Sequence, residues 1–328
     1  MKHPFRLAVS LTPFEQGSFL PEPLFGQLRD IDPQLCMLDS RNDFAAALAK
    51  AAPEVLLTCW STPPLINPPP SLRYVCHITG TVKRLLTRKQ IEDGLTVTNW
   101  GNSVSRTVAE ATLWHILTCL RRGTYWTFAM HQGQAWRGTN EDIASLFCRR
   151  VGIHGFGNIT RDLLKLLQPF GCPVSVLSSH LSADKAQAYG VTLAPSLEAL
   201  FSENDIVVDL APLTPATTGI INEALLRRLR PGCVFVNLGR GPVVDEAALI
   251  RVAREGKILF GLDVFADEPL PADSPLRGMS NVFLTPHLAM TPDRHVDAGA
   301  FALANLQAYA NEQPLKSVVT LSVYDSST

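Results

Sequence analysis

Val151-Gly-Ile-His-Gly-Phe-Gly-Asn-Ile-Thr160 is the stretch on which the reading of this chain turns. Residues 151–154 read as a strand. From residue 158 onward Ile159, Leu163, Leu166, Leu167 and Phe170 fall at three- and four-residue spacing, which predicts a helix over 158–168 with Gly171 as its stop. Strand, glycine turn and helix in that order can seat a phosphate. Gly155 would make the tight turn, and Gly157 would let the backbone approach a pyrophosphate. The free N–H groups at the helix start would meet the negative charge. Gly155, Phe156, Gly157, Asn158 and Ile159 are therefore candidate dinucleotide contacts. The competing reading is an ordinary tight turn between a strand and a helix.

Two positions depart from the usual dinucleotide pattern. Thr160 stands where a third glycine would let helix and strand pack closest. Ser178 follows the next strand, 174–177, at the place where an acidic residue would hold the adenine-ribose hydroxyls, and residues 174–180 contain no carboxylate. The expected cofactor is thus NAD or NADP, with neither favoured.

Outward from the turn, short apolar runs alternate with helical patterns. On the C-terminal side the strands are read at 151–154, 174–177, 205–210, 234–238, 258–263 and 282–285, with helices at 223–229, 246–254 and 293–310. On the N-terminal side strands are read at 5–11, 35–38, 55–60, 72–78 and 96–99, with a helix at 43–51 and a long apolar one at 108–120. Repeated strand–helix alternation predicts α/β architecture with parallel sheets covered on both faces. Pro63, Pro64 and Pro68 to Pro70 mark a loop, because proline cannot feed a sheet ladder.

Bulk composition agrees with this picture. A length of 328 residues suits two domains, and 46% hydrophobic residues can fill two cores. A formal net charge of −1 gives no general pull toward nucleic acid or an anionic membrane. No apolar run reaches membrane-helix length. The stretch 1–14 is broken by Pro4, Arg6 and Pro13, unlike a signal peptide. Seven scattered cysteines without a Cys-x-x-Cys pair suggest reduced thiols buried as small hydrophobes, hence a cytoplasmic protein. No spacing of His, Cys, Asp or Glu suggests a metal site.

Three polar residues share one property. Arg240 follows the strand at 234–238, Glu268 the strand at 258–263, and His287 the strand at 282–285. In a parallel sheet the carboxyl ends of the strands lie along one edge, where ligands bind. Each alone has a plainer reading: a solvated loop charge, a surface acid, a capped loop histidine. Together they form a set suited to reducing a 2-oxo acid. An imidazolium can donate a proton to the developing alkoxide. A carboxylate beside it favours the charged form and fixes the ring. The planar fork of arginine can hold a substrate carboxylate and polarise the adjacent carbonyl.

Beyond those residues, Pro212-Leu-Thr-Pro-Ala-Thr-Thr-Gly-Ile-Ile-Asn222, Asn237-Leu-Gly-Arg-Gly-Pro-Val-Val-Asp245, Leu262-Asp-Val-Phe-Ala-Asp-Glu-Pro269 and Thr285-Pro-His287 resemble the signatures of the D-isomer-specific 2-hydroxyacid dehydrogenases. Ile78-Thr-Gly-Thr-Val82 and Val108-Ala-Glu110 extend the resemblance more weakly. The resemblance implies Arg240 as the catalytic arginine, Glu268 as the acidic partner and His287 as the acid–base. It adds Pro212, Thr217 and Asp263 as cofactor contacts, Asp263 against the nicotinamide carboxamide. It adds Thr79, Gly80 and Thr81, with Arg240, as substrate contacts. It implies two doubly wound parallel-sheet domains, a Rossmann-type cofactor domain (105–289) inserted into a flavodoxin-like substrate domain (1–104 plus 290–328). The expected reaction is reversible hydride transfer between NAD(P)H and a small 2-oxo acid, giving a D-2-hydroxy acid, in a homodimer. Gly101, Asp209 and Met290 depart from the family pattern and leave the acid unnamed. The alternative within the same resemblance is a dinucleotide-sensing, corepressor-like binding protein with little turnover.

Overall fold

The computed structural model describes residues 3–39, 43–133, 136 and 142–326; the first two residues of the stretch 1–14 lie outside that range. The chain divides into two compact units, Met1–Val104 with Thr291–Thr328, and Ser105–Met290.

The first unit holds β1 (Leu7–Ser10), β2 (Cys36–Met37), β3 (Val55–Thr58), β4 (Tyr74–His77) and β5 (Thr96–Thr98). All pair in parallel, in the order β2-β1-β3-β4-β5. That is the flavodoxin-like order. β1, β3 and β4 are buried at every position, as expected of parallel strands covered on both faces. Ala8, Leu56, Val75 and Val97 pack with Phe44, Leu48 and Leu86 in its core. Helix Pro13–Phe19 was not foreseen, because Pro13 reads as a breaker. At the first helical turn proline loses nothing, and Thr12 and Glu15 close a capping box around it.

The second unit holds β6 (Val151–His154), β7 (Val174–Leu177), β8 (Thr192–Leu193), β9 (Ile206–Asp209), β10 (Val234–Asn237), β11 (Leu259–Leu262) and β12 (Val282–Leu284). The sheet is parallel, ordered β12-β11-β10-β9-β6-β7-β8. The order reverses between β6 and β9, as in Rossmann-type sheets. Side chains alternate between two cores. Val151, Ile153, Val208 and Val236 face helices Ser105–Leu120 and Asn158–Leu167. Val207, Phe235 and Phe260 face helices Leu197–Glu203 and Glu246–Ala253. β8 escaped the sequence reading: it is two exposed residues at the sheet edge, with no periodicity to detect.

All seven cysteines are free. Cys59, Cys76, Cys119 and Cys233 are buried as expected, but Cys36 and Cys148 are exposed and Cys172 is half-buried. The expectation fails for Cys36 because β2 is an exposed edge strand, and for Cys148 because it lies in a loop before β6. Among the described residues no helix is long and apolar enough to cross a membrane.

Candidate active site

Register lines up one edge of the second sheet. His154 pairs with Asp209, Asp209 with Asn237, Asn237 with Leu262, and Leu262 with Leu284. The segments that follow these residues therefore leave the sheet at its carboxyl edge. They carry Gly155, Arg240, Asp263, Glu268 and His287.

The glycine turn has the shape its sequence suggests. Gly155 has φ +101°, and a Cβ there would lie 2.7 Å from the Leu210 carbonyl oxygen. Only glycine meets both conditions. A Cβ on Gly157 would point into open space. Gly157 is the N-cap of helix Asn158–Leu167 and offers no side chain to its first amides. An open cradle above uncapped N–H groups fits a dinucleotide phosphate. Thr160, in place of the third glycine, is fully buried, and its hydroxyl donates to the Gly155 carbonyl at 3.0 Å. Phe156 is buried against the edge of Tyr189, with the Arg161 guanidinium over its face. Ser178 is half-buried one strand away, and its hydroxyl accepts from the His180 amide at 3.2 Å. Exposed Pro212 accepts from the Thr217 hydroxyl at 2.6 Å, and that hydroxyl also receives the Thr214 amide.

At the other half of the edge His287 meets Glu268, and the Glu268 charge reaches Arg240. His287 Nδ1 lies 2.7 Å from Glu268 Oε2, with the side chains 49% and 37% exposed, so solvent reaches the pair. Glu268 Oε1 accepts from the Phe265 amide at 3.1 Å, which fixes the carboxylate. Because a carboxylate only accepts, Nδ1 carries hydrogen, and Nε2 is the nitrogen available for proton exchange. Arg240 Nη1 donates to the Gly239 carbonyl at 2.7 Å. Burial pushes the Arg240 guanidinium down from its usual value, and the Glu268 charge pushes it back up. The Asn237 side chain shapes the turn before Arg240, accepting from Gly239 N and donating to the Arg240 carbonyl. Gly241 must be glycine: a Cβ there would fall 1.9 Å from the Phe265 carbonyl.

His287 has φ +51°, a backbone region that costs a non-glycine residue about 1–2 kcal/mol. Asp263 holds this loop in place. Its Oδ1 accepts from Thr285 Oγ1 at 2.6 Å and from Leu288 N at 2.9 Å, and its Oδ2 accepts from Ala289 N at 3.1 Å. The resemblance implies Asp263 as a cofactor contact; in the structure the residue is 1% exposed and its carboxylate is engaged by the loop that carries His287. His115, which meets Thr285, leaves no signal in the sequence, since a single histidine among the other polar residues of helix Ser105–Leu120 has no periodicity.

In the first unit, Thr79 is buried and its hydroxyl lies 2.7 Å from His77 Nε2. Burial pushes His77 down to about 4, so the ring is neutral. Gly80 is held by Asn99 Nδ2, which donates to its carbonyl, and by the Trp100 ring, which a Cβ would meet at 2.8 Å. Thr81 Oγ1 accepts from the Lys83 amide.

Residues 113–289 match the profile of the D-isomer specific 2-hydroxyacid dehydrogenase, NAD binding domain. A hydroxyphenylpyruvate reductase of Plectranthus scutellarioides is 33% identical over 258 residues, covering 78% of this chain and 80% of that one. A glyoxylate/hydroxypyruvate reductase of Arabidopsis thaliana is 32% identical over 231 residues, covering 70% of each. A D-isomer specific 2-hydroxyacid dehydrogenase of Xanthobacter autotrophicus, solved in complex with NADPH, superimposes with a TM-score of 0.73 at 27% identity, covering 97% of this chain and 99% of that one.

Proposed function

This chain belongs to the D-isomer-specific 2-hydroxyacid dehydrogenase family, and from that premise we propose that it reduces a small 2-oxo acid to the D-2-hydroxy acid with Arg240, Glu268 and His287 as its catalytic residues. The observation that carries the assignment is the 2.7 Å His287–Glu268 pair beside Arg240 on the carboxyl edge of a sheet that also presents the glycine cradle.

The enzyme uses NAD or NADP, and the reduced nicotinamide supplies the hydride. Arg240 grips the substrate carboxylate and polarises the carbonyl to be reduced. His287 gives the proton on Nε2 to the carbonyl oxygen and keeps the hydrogen on Nδ1. Glu268 fixes the ring in the orientation this requires. In the oxidative direction the same nitrogen takes the proton back.

Gly155, Phe156, Gly157, Asn158 and Ile159 would cradle the pyrophosphate, Ser178 would border the adenine ribose, and Pro212 and Thr217 would complete the cofactor's surroundings, with Asp263 acting through the loop it holds. Thr79, Gly80 and Thr81 assist with the substrate carboxylate. On this reading Ser105–Met290 is the cofactor domain and the other unit the substrate domain. The relatives act on glyoxylate, hydroxypyruvate and hydroxyphenylpyruvate by name, which supports an enzyme over a dinucleotide-sensing binding protein. Free thiols suit a reducing compartment such as the cytoplasm. Exposed Trp114, Phe128 and Met130, on helices Ser105–Leu120 and Gly123–His131, support a homodimer interface.

The test is a panel of these three 2-oxo acids with NADH and NADPH, followed by nicotinamide absorbance and by chirality of the product. Turnover to the D-isomer is expected. Tight cofactor binding with no turnover on any acid would instead favour the sensing role.

A further inference from the structure

Helix Ser105–Leu120 lies against β11 at Gly261, where a Cβ would come within 3.2 Å of both the His115 Cβ and Cys119 Sγ. This close approach delivers His115, which is fully buried, to the loop after β12. His115 Nδ1 lies 2.7 Å from the Ala111 carbonyl oxygen, and Nε2 lies 2.9 Å from Thr285 Oγ1. The chain continues from Thr285 Oγ1 to Asp263 Oδ1 at 2.6 Å, and from Asp263 to the amides of Leu288 and Ala289, which flank and follow His287.

We infer that His115 is a positioning residue: when protonated it completes a His115–Thr285–Asp263 chain that holds the loop bearing His287. The inference rests on the reading of His287 as the acid–base group.

The Ala111 carbonyl only accepts, so Nδ1 bears hydrogen. In a neutral ring Nε2 is then a bare lone pair. Thr285 has one hydroxyl hydrogen and faces two acceptors, Nε2 and the Asp263 carboxylate. It can serve one, and the other contact becomes lone pair against lone pair in a dry interior. One more proton repairs the chain: Nε2–H donates to Thr285, and Thr285 donates to Asp263. Placing that proton on Asp263 gives the same count, but it would reverse the Thr285-to-Asp263 bond and put the hydrogen on an oxygen that already accepts from Leu288 N.

Asp263 is the charge that reaches His115. Cys119 lies one turn along the same helix, and burial pushes its thiol up and keeps it neutral. The rings of Trp114 and Phe283 pack beside His115, with centroids 5.2 and 4.9 Å away. Burial pushes His115 below the ordinary histidine value, while the Ala111 carbonyl and Asp263 oppose it. The complete chain is therefore the acid form, and it is lost as pH rises through a midpoint on the acid side of the histidine range.

The test follows the histidine Cε1 protons by NMR as pH is varied. There are eight histidines, and His115→Leu identifies the resonance by its loss. Thr285→Val and Asp263→Asn should each lower the His115 midpoint by half a unit or more, whatever the enzyme does with substrate. Wild-type kcat should fall about three- to tenfold, the worth of one hydrogen bond, across the same midpoint. In His115→Leu, Thr285 donates to Asp263 at every pH, so that limb should vanish while KM changes less than twofold. An unchanged midpoint in both Thr285→Val and Asp263→Asn, or a His115→Leu profile that superimposes on wild type, overturns the inference. Coupled midpoints with no effect on kcat would refute the positioning role and leave the hydrogen count standing.

Discussion

Replacing Arg240 with lysine keeps a positive charge and removes the fork. In the structure one prong is already committed: Nη1 donates to the Gly239 carbonyl at 2.7 Å and sets the plane of the guanidinium. A lysine ammonium is a point donor; directed at Gly239 it is drawn from the substrate, and directed at the substrate it leaves that carbonyl without this partner. The loss is about one charge-assisted hydrogen bond, roughly 1.5–3 kcal/mol, or about 10- to 150-fold in kcat/KM. Burial adds a second effect. It already pushes the Arg240 guanidinium down, and lysine under the same desolvation surrenders its proton far more readily than arginine. The deficit should therefore widen with rising pH. Initial rates of NAD(P)H oxidation with glyoxylate and hydroxypyruvate, taken from pH 6 to 9, measure both effects. A lysine variant within about threefold of wild type across that range would refute the assignment of Arg240 as the substrate's anchor.

Gly241→Ala should cost about 3 kcal/mol or more in urea unfolding, because its Cβ would meet the Phe265 backbone at 1.9 Å; a loss under about 1 kcal/mol would mean the backbones part easily. Ser178→Asp should lower the NADPH/NADH efficiency ratio at least about tenfold, since a carboxylate there repels a 2′-phosphate; an unchanged ratio would place the adenine ribose elsewhere. Glu15→Gln should weaken the first unit. Burial pushes the Glu15 carboxyl up, but hydrogen bonds from Ser61 and Thr12 outweigh it, and the net shift is downward. A carboxyl lowered on folding stabilises above its unfolded value, near 4.3, and that stabilisation fades as pH falls through the folded value. Wild type should thus exceed the glutamine variant by about 1–3 kcal/mol at pH 7, with the gap closing below about pH 4. A gap independent of pH would show that the charge is not the source.

Much of the site was legible because its residues sit at strand ends, and strand ends can be read from apolar runs. The glycine turn, Arg240, Glu268 and His287 all become candidates this way, and the parallel register explains why residues distant in sequence share one edge. Elements of low periodicity stayed hidden. β8 is two residues long, and helix Pro13–Phe19 was masked by its own proline even though Thr12 and Glu15 stand at capping-box spacing. The supports of the site were harder still. His115 meets Thr285 only because Gly261 lets a helix lie close on the sheet. That depends on tertiary packing between segments 170 residues apart, which no local pattern encodes.

His287 is the proton donor on which the proposed reaction depends. His287→Ala should lower kcat on the best 2-oxo acid by about 10²–10⁴-fold, while the dissociation constant for NADPH, read by fluorescence titration, stays within about twofold, since the glycine cradle is untouched. A variant that binds cofactor normally and keeps more than half of the wild-type kcat would contradict it.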